Sequence, residues 1–451
     1  MDCLSKRNRA SWDIDGFAFL TQNLTYALDF VSLYVCPSPH SRISVQLKRN
    51  IMSIGIVYTS TFPPRTGPCA SDRRVRDLAR GLNSKGEVVH VFIPRWHDSG
   101  EPNQDPTEYG VQFVGSVFDK IPLLNRIAFW FKLPSKAKRL NCKAVIYYSP
   151  TIDSAISMVL FKFTRVVTLL EVCDLVSFNF SRTFKGLLFY WGERLLPRLT
   201  DATLPISATI RDFVLKFAPK TTTYLVPILV DNDVFKPDTA KGIAFRRKYD
   251  IDDETVVIGY VGGMYKTYGA DMLMEAFSKI RGQLPFKTKL VIAGRLEFDS
   301  HGFDARELAK SLNAEQDIIL TGWADTELVN SILNASDILT IPHLNTEANN
   351  AGLPTKLAEY AAIGKAVLAT DVGDIRHYFK HLDDIYIVEG SNLEALQTGL
   401  EILISDQELR SRIAKGIKAV GDVRFSYQAN GELLSDIIES ESKKKCSRAI
   451  V

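Results

Sequence analysis

Closely spaced cysteines are missing from this 451-residue chain. Its six cysteines, Cys3, Cys36, Cys69, Cys142, Cys173 and Cys446, are scattered, which argues against a zinc site and a disulfide scaffold and for a reducing compartment. Histidine is scarce: seven residues without ligand spacing predict no bound metal. Long apolar runs are absent as well. The stretch from Phe17 to Val35 is interrupted by Gln22, Asn23 and Asp29 and lacks a small-residue cleavage site. It reads neither as a spanning helix, which needs about 18 apolar residues, nor as a signal peptide. A cytoplasmic protein is expected. No Gly-x-Gly-x-x-Gly follows the strands where a dinucleotide would bind, so a nicotinamide dehydrogenase is disfavoured. Nor is there a large excess of one charge, the net being +3.

What is present has an uneven distribution. Residues 1–240 carry 30 Lys and Arg against 21 Asp and Glu, while the remainder carries 25 against 31. A basic amino-terminal half suits an anionic surface or a phosphate-bearing acceptor, or is simply solvated charge; no nucleic-acid partner is expected. Length and a 46% hydrophobic content predict two or three globular domains.

Residues 1–51 form an unplaced extension. From Met52 the grammar sharpens. Ser53–Thr59 reads as a buried strand, a loop runs through Phe62, Pro64 and Gly67, and Arg73–Leu82 shows helical periodicity through Val75, Leu78, Ala79 and Leu82. Val88–Ile93 is the next strand, Val145 opens another, and Arg165–Leu170 follows. The pattern restarts with strands at Thr255–Val261, Lys289–Ala293, Ile318–Thr321, Ile338–Ile341 and Ala366–Ala369, separated by helices at Ala270–Ile280, Asp325–Ala335 and Lys356–Ile363. This predicts an α/β protein of two Rossmann-like, doubly wound domains facing a cleft, over residues 52–230 and 231–425. The linker falls near Pro227–Pro237. Residues 426–451 are expected as a terminal helix and tail, with helical character from Leu393 to Glu441 and Lys443–Lys445 solvated.

Ligands of such sheets sit beyond the carboxyl ends of the strands. The richest stretch there is Gly352-Leu353-Pro354-Thr355-Lys356, which leads into Glu359 and Tyr360. Amides at Thr355 and Lys356 suit a diphosphate, Lys356 adds charge, and Glu359 suits a ribose diol. The alternative is that Glu359 only favours the helix start. Asp153 stands at a ligand-facing strand end, and Glu171 and Asp174 compete with it as the acidic group. Gly67 and Arg73 are candidates for approaching donor phosphates or the acceptor. Asp231-Asn-Asp233 spells a metal-binding Asp-x-Asp, but lies in the linker, where turn residues belong.

Several ordered pieces resemble the retaining, family-four glycosyltransferases of the GT-B fold, also called glycosyl transferases group 1. They are Val226-Pro-Ile-Leu-Val-Asp-Asn-Asp-Val-Phe235, Tyr260-Val-Gly-Gly263 with Gly269 and Asp271, Ile319-Leu-Thr-Gly-Trp323, and the helix ending Glu359-Tyr-Ala-Ala-x-Gly-Lys365. The resemblance covers about residues 52–440. It implies a nucleotide-diphosphate sugar bound to the carboxyl-terminal domain by Gly262, Gly263, Lys266, Arg295, Trp323, Gly352, Leu353, Thr355, Lys356 and Glu359. It implies transfer with retention to an acceptor on the amino-terminal domain, with Asp153 or Glu171 as catalytic candidates and neither metal nor cofactor. The family's first glutamate falls at Ala351, and its diphosphate arginine and lysine at Gly263 and Tyr268. A nucleotide-sugar epimerase and a non-catalytic partner of the same fold therefore stay open. Ile121–Lys132 and Phe178–Arg198 mix aromatics with cations in the basic half. They point to a peripheral enzyme at the inner face of an anionic membrane, acting on a lipid-linked or envelope glycan, or else to core-packing faces.

Overall fold

A computed structural model describes residues 52–58, 70–93, 112–114, 122–148, 151–175, 184–296 and 302–448. The extension 1–51 and Gly67 lie outside these residues. Short apolar runs bounded by turns give β1 (Ser53–Tyr58), β2 (Val88–Phe92), β3 (Gln112–Val114), β4 (Cys142–Tyr148), β5 (Val167–Val172), β6 (Ala202–Pro205) and β7 (Thr222–Thr223). They pair in parallel in the order β3-β2-β1-β4-β5-β6-β7. A second parallel sheet holds β8 (Val256–Val261), β9 (Thr288–Ala293), β10 (Ile318–Gly322), β11 (Ile338–Ile341), β12 (Ala366–Thr370) and β13 (Tyr386–Val388), ordered β10-β9-β8-β11-β12-β13. Every residue of β1, β8 and β12 is buried, because helices cover both faces of a parallel sheet. The doubly wound α/β architecture predicted from the sequence is present twice. Strand order reverses between β1 and β4 and again between β8 and β11, so each sheet has a ligand crevice at that switch point.

The expected strand Arg165–Leu170 is displaced. β5 begins at Val167 and runs to Val172, which puts Glu171 inside the sheet, 1% exposed. The carboxyl-terminal stretch also differs from a single amphipathic run. It is three helices, Leu393–Ser405, Gln407–Arg424 and Tyr427–Arg448. Asp406 interrupts the first pair by capping the Leu409 amide at 2.8 Å. The third helix returns to the amino-terminal domain and lies on the helix Ala70–Ser84. Their crossing is made by glycine: a Cβ on Gly431 would stand 2.1 Å from the Gly81 carbonyl oxygen, and one on Gly81 would stand 2.4 Å from that of Tyr427. Leu434, Ile437 and Ile438 then join the core beneath β1 and β4, each contributing about 1.5–3 kcal/mol by burial. Of the lysines expected to be solvated, Lys443 and Lys444 are exposed, but Lys445 is not. The helix continues to Arg448, and Lys445 donates to Asp201 and to the Val166 carbonyl, each at 2.7 Å. No helix among the described residues is long and apolar enough to cross a membrane.

Candidate functional site

The crevice of the second sheet opens where β8, β9, β10 and β11 end. Gly262 and Gly263 follow β8. The Gly262 amide donates to Ala293 at the end of β9, and the Gly294 amide to Gly322 at the end of β10, both at 2.9 Å. The strand ends are thereby laced together. Residues 266–268 form a single tight turn that Gly269 closes with φ +70°; a Cβ there would stand 1.9 Å from the Pro342 oxygen. Only glycine lets the β8 loop press against the end of β11 this closely. Leu344 and Asn349 both donate to the Thr267 carbonyl, and Tyr268 stacks on His343 with ring centroids 4.9 Å apart. Burial depresses the His343 imidazole to about 4, so it is neutral at pH 7. Lys266 and Arg295 are exposed on this rim, and among the described residues no hydrogen bond or ion pair engages either side chain. Trp323, 62% exposed, stands just past β10.

Gly352, Leu353, Pro354 and Thr355 carry the chain from a short helix, Glu347–Ala351, into the helix Lys356–Ile363. Thr355 makes no side-chain cap, and the helix is moored to β8 by the Val261 amide donating to the Tyr360 hydroxyl at 3.2 Å. Glu359 faces the amino-terminal domain. Its Oε1 accepts from Arg73 at 3.1 Å and its Oε2 from Lys356 at 2.9 Å. Arg73 belongs to the helix Ala70–Ser84, so this ion pair bridges the two sheets. Two further bonds do the same: the Ser207 hydroxyl donates to the Ala351 carbonyl at 2.6 Å, and the Ala208 amide donates to the Asp374 carboxylate. The Ala351 methyl packs into the apolar cluster of the amino-terminal domain.

The acidic candidates of that domain lie in different surroundings. Asp153 accepts from the Trp130 indole at 2.6 Å. Glu171 accepts from buried Arg74 Nε at 2.6 Å, and Arg74 also donates to the Pro227 and Val226 carbonyls. Asp174 lies exposed just beyond β5. It acts electrostatically on Tyr268 across the cleft. The Asp231-Asn-Asp233 motif is a turn whose two carboxylates both accept from Arg80; the Asp233 amide donates back to Asp231 at 3.0 Å. The bridges through Arg73, Ser207 and Asp374 escape sequence reasoning, since their partners are more than 140 residues apart. Ser207 could have been read as a helix cap, and it does cap the Ile210 amide.

Asp77, one helical turn beyond Arg73, has its carboxyl pushed up to about 7. Desolvation is the main cause, with Arg73 opposing it, Glu359 reinforcing it, and Arg80 and Arg74 opposing it. A carboxyl whose folded value exceeds its unfolded one binds its proton more tightly when folded. Stability is therefore full below about pH 4 and is lost as pH rises toward 7. Replacing Asp77 by Asn should raise Tm by about 2–4 °C at pH 8 and leave it unchanged near pH 4.5. Melting curves over that range test this; an equal shift at both pH values contradicts it.

Residues 243–420 match the sequence model of the family described as glycosyl transferases group 1. Among curated relatives, an alpha-D-kanosaminyltransferase of Streptomyces kanamyceticus is 24% identical over 55% of this chain and 62% of its own length. A GDP-mannose-dependent monoacylated alpha-(1-6)-phosphatidylinositol monomannoside mannosyltransferase of Corynebacterium glutamicum is 26% identical over 52% of this chain and 61% of its own. Both matches thus span less than two-thirds of the relative. In structure, the chain superposes on Anabaena HepE, solved with UDP-glucose, with a TM-score of 0.67 at 14% identity, covering 86% of this chain and all of that one. The segment that carries the second sheet and the helices around it thus matches the group 1 glycosyl transferases, and the chain carries the GT-B fold.

Proposed function

We propose that the protein transfers a sugar from a nucleoside diphosphate sugar, held in the crevice of the second sheet, to an acceptor held by the amino-terminal domain. One observation carries this: Glu359 sits one turn into the helix at the crevice mouth, while Lys266 and Arg295 stand near by without ion-pair partners among the described residues. Glu359 would accept from the ribose hydroxyls. The free amides at Thr355 and Lys356, together with Lys266 and Arg295, would stabilise the diphosphate leaving group as charge develops on it. Gly262, Gly263, Gly352 and Leu353 would line the sugar and phosphate, and Trp323 would meet the base. The donor's anomeric configuration would be retained, and the cations would serve in place of a metal. Nucleoside diphosphate release should therefore persist in EDTA. Loss of turnover on chelation, restored by Mg2+ or Mn2+, would contradict the metal-free reading. NMR of the same mixtures separates transfer from donor epimerisation. Burial of Ala351 against the amino-terminal domain favours one other reading, a donor-binding partner without turnover, which would bind donor but release no nucleotide.

The acceptor in this reading is a lipid-linked or envelope glycan, reached from the inner face of the membrane. On the helix Phe184–Leu195, Leu187, Tyr190, Trp191 and Leu195 are all exposed. The Arg194 guanidinium lies 3.5 Å from the Tyr190 ring centroid. Phe163 and Phe131 are exposed on neighbouring elements. Lys162 and Arg165 are exposed beside Phe163, and Lys132 beside Phe131; exposed aromatics next to cations suit an anionic bilayer interface. The wild type should co-sediment with anionic liposomes at low salt, and Trp191→Ala combined with Phe163→Ser should lose most of that binding. Equal sedimentation of wild type and variant, or none by either, would overturn this assignment.

A further inference from the structure

Of the arginines on the first helix, Arg73 reaches the second domain's helix Lys356–Ile363. Arg74 is consumed by Glu171 and two carbonyls, and Arg80 by Asp231 and Asp233. The bond Arg73 makes is incomplete: its Nη1 donates to Glu359, while its Nε is buried and meets no acceptor. An unmet buried donor is costly, so this arrangement is not the one that satisfies the guanidinium best. Glu359, by contrast, has both carboxylate oxygens engaged. One oxygen accepts from Arg73 and the other from Lys356, which are the same two oxygens a ribose diol would use. Nucleotide and Arg73 therefore compete for one carboxylate. The two family positions that would carry diphosphate cations are Gly263 and Tyr268 here, and neither bears a charge.

We propose that Arg73 is a transferable cation: it rests on Glu359 in the empty cleft, and when ribose hydroxyls take Glu359 it turns to the donor's diphosphate. This rests on the donor-site reading above and adds a role from the opposite domain. Guanidinium geometry fits a phosphate with two parallel bonds, which would supply the acceptor that Nε lacks. The same exchange couples donor binding to the seam between the domains, because the ion pair that spans it opens only as the diphosphate arrives. A residue that merely held the domains together would affect every ligand alike. Loss of a transferable cation weakens ligands that carry the diphosphate and does not weaken those without it.

The test is calorimetric titration of wild type, Arg73→Ala and Arg73→Lys with uridine, guanosine and adenosine and with the diphosphate of each. For whichever base binds, Arg73→Ala should weaken the nucleoside diphosphate at least tenfold. The free nucleoside should bind as tightly as to wild type or more tightly, since its competitor for Glu359 is gone. Arg73→Lys should recover part of the diphosphate affinity. A parallel loss for nucleoside and diphosphate, or no loss for the diphosphate, would overturn the proposal. If wild type binds none of the six ligands, the donor-site reading itself fails, a result separate from failure of the exchange. Melting temperatures of the two variants within a few degrees of wild type establish that folding is not the cause.

Discussion

Replacing Glu359 by alanine is expected to weaken nucleoside diphosphate sugar binding roughly 10- to 150-fold while the protein stays folded. The estimate follows from removing a charged acceptor from a hydrogen bond, about 1.5–3 kcal/mol. The fold should tolerate the change, because the Glu359 side chain is 12% exposed and its partners Arg73 and Lys356 both retain access to water. What the helix loses is a first-turn carboxylate, worth about 0.3–1 kcal/mol. Glu359→Gln keeps the shape and one acceptor and should fall between. Titration of each variant with the donor checks the order. Wild-type affinity in the alanine variant would show that this carboxylate is only a helix-start residue.

The other large effect concerns Glu171, one of two acidic candidates for catalysis. Its carboxylate and the Arg74 guanidinium are both desolvated, with side-chain exposures of 1% and 8%. Alanine at 171 strands a buried guanidinium, and breaking such a pair from one side costs about 3–5 kcal/mol. A fall in Tm on the order of 10 °C is expected, with turnover per folded molecule much less affected. The double variant Glu171→Leu, Arg74→Met should recover most of the loss, since an apolar pair of similar volume suits the site. A catalytic Glu171 would behave in the opposite way, with Tm held and turnover abolished. Asp153 provides the comparison. It accepts from the Trp130 indole in the short turn Ile152–Ser154 that follows β4, so Asp153→Asn, which keeps an acceptor there, should leave Tm nearly unchanged and report on turnover alone.

Much of the fold was legible because buried parallel strands are continuous apolar runs, as at Val256–Val261 and Ile338–Ile341. The reading slipped where charge intrudes. Glu171 looked like the residue after a strand because its neutralising partner, Arg74, lies 97 residues earlier. Lys445 looked solvated because Asp201 cannot be seen from it. Nothing near Gly81 or Gly431 in sequence marks them, and only their meeting explains why no side chain is allowed there. The candidate site shows the same division. The loop from Gly352 to Thr355 with Glu359 was legible from local spacing, since an amide-rich helix start and a carboxylate one turn later form one local unit. The attachment of Glu359 to Arg73, 286 residues away in sequence, was not. Neither were the Tyr268–His343 stack, which needs the ends of β8 and β11 side by side, or the raised Asp77 carboxyl, which feels Glu359 of the other domain.

The central claim is that the donor occupies the carboxyl ends of β8 to β11 and the start of the helix Lys356–Ile363. Amide hydrogen exchange followed by mass spectrometry, with and without a saturating nucleoside diphosphate, tests it most directly. Peptides spanning residues 262–269, 294–296, 322–325 and 352–360 should gain protection, with a smaller gain around Arg73. Protection confined to other segments, at a concentration where binding is independently measured, would contradict the account.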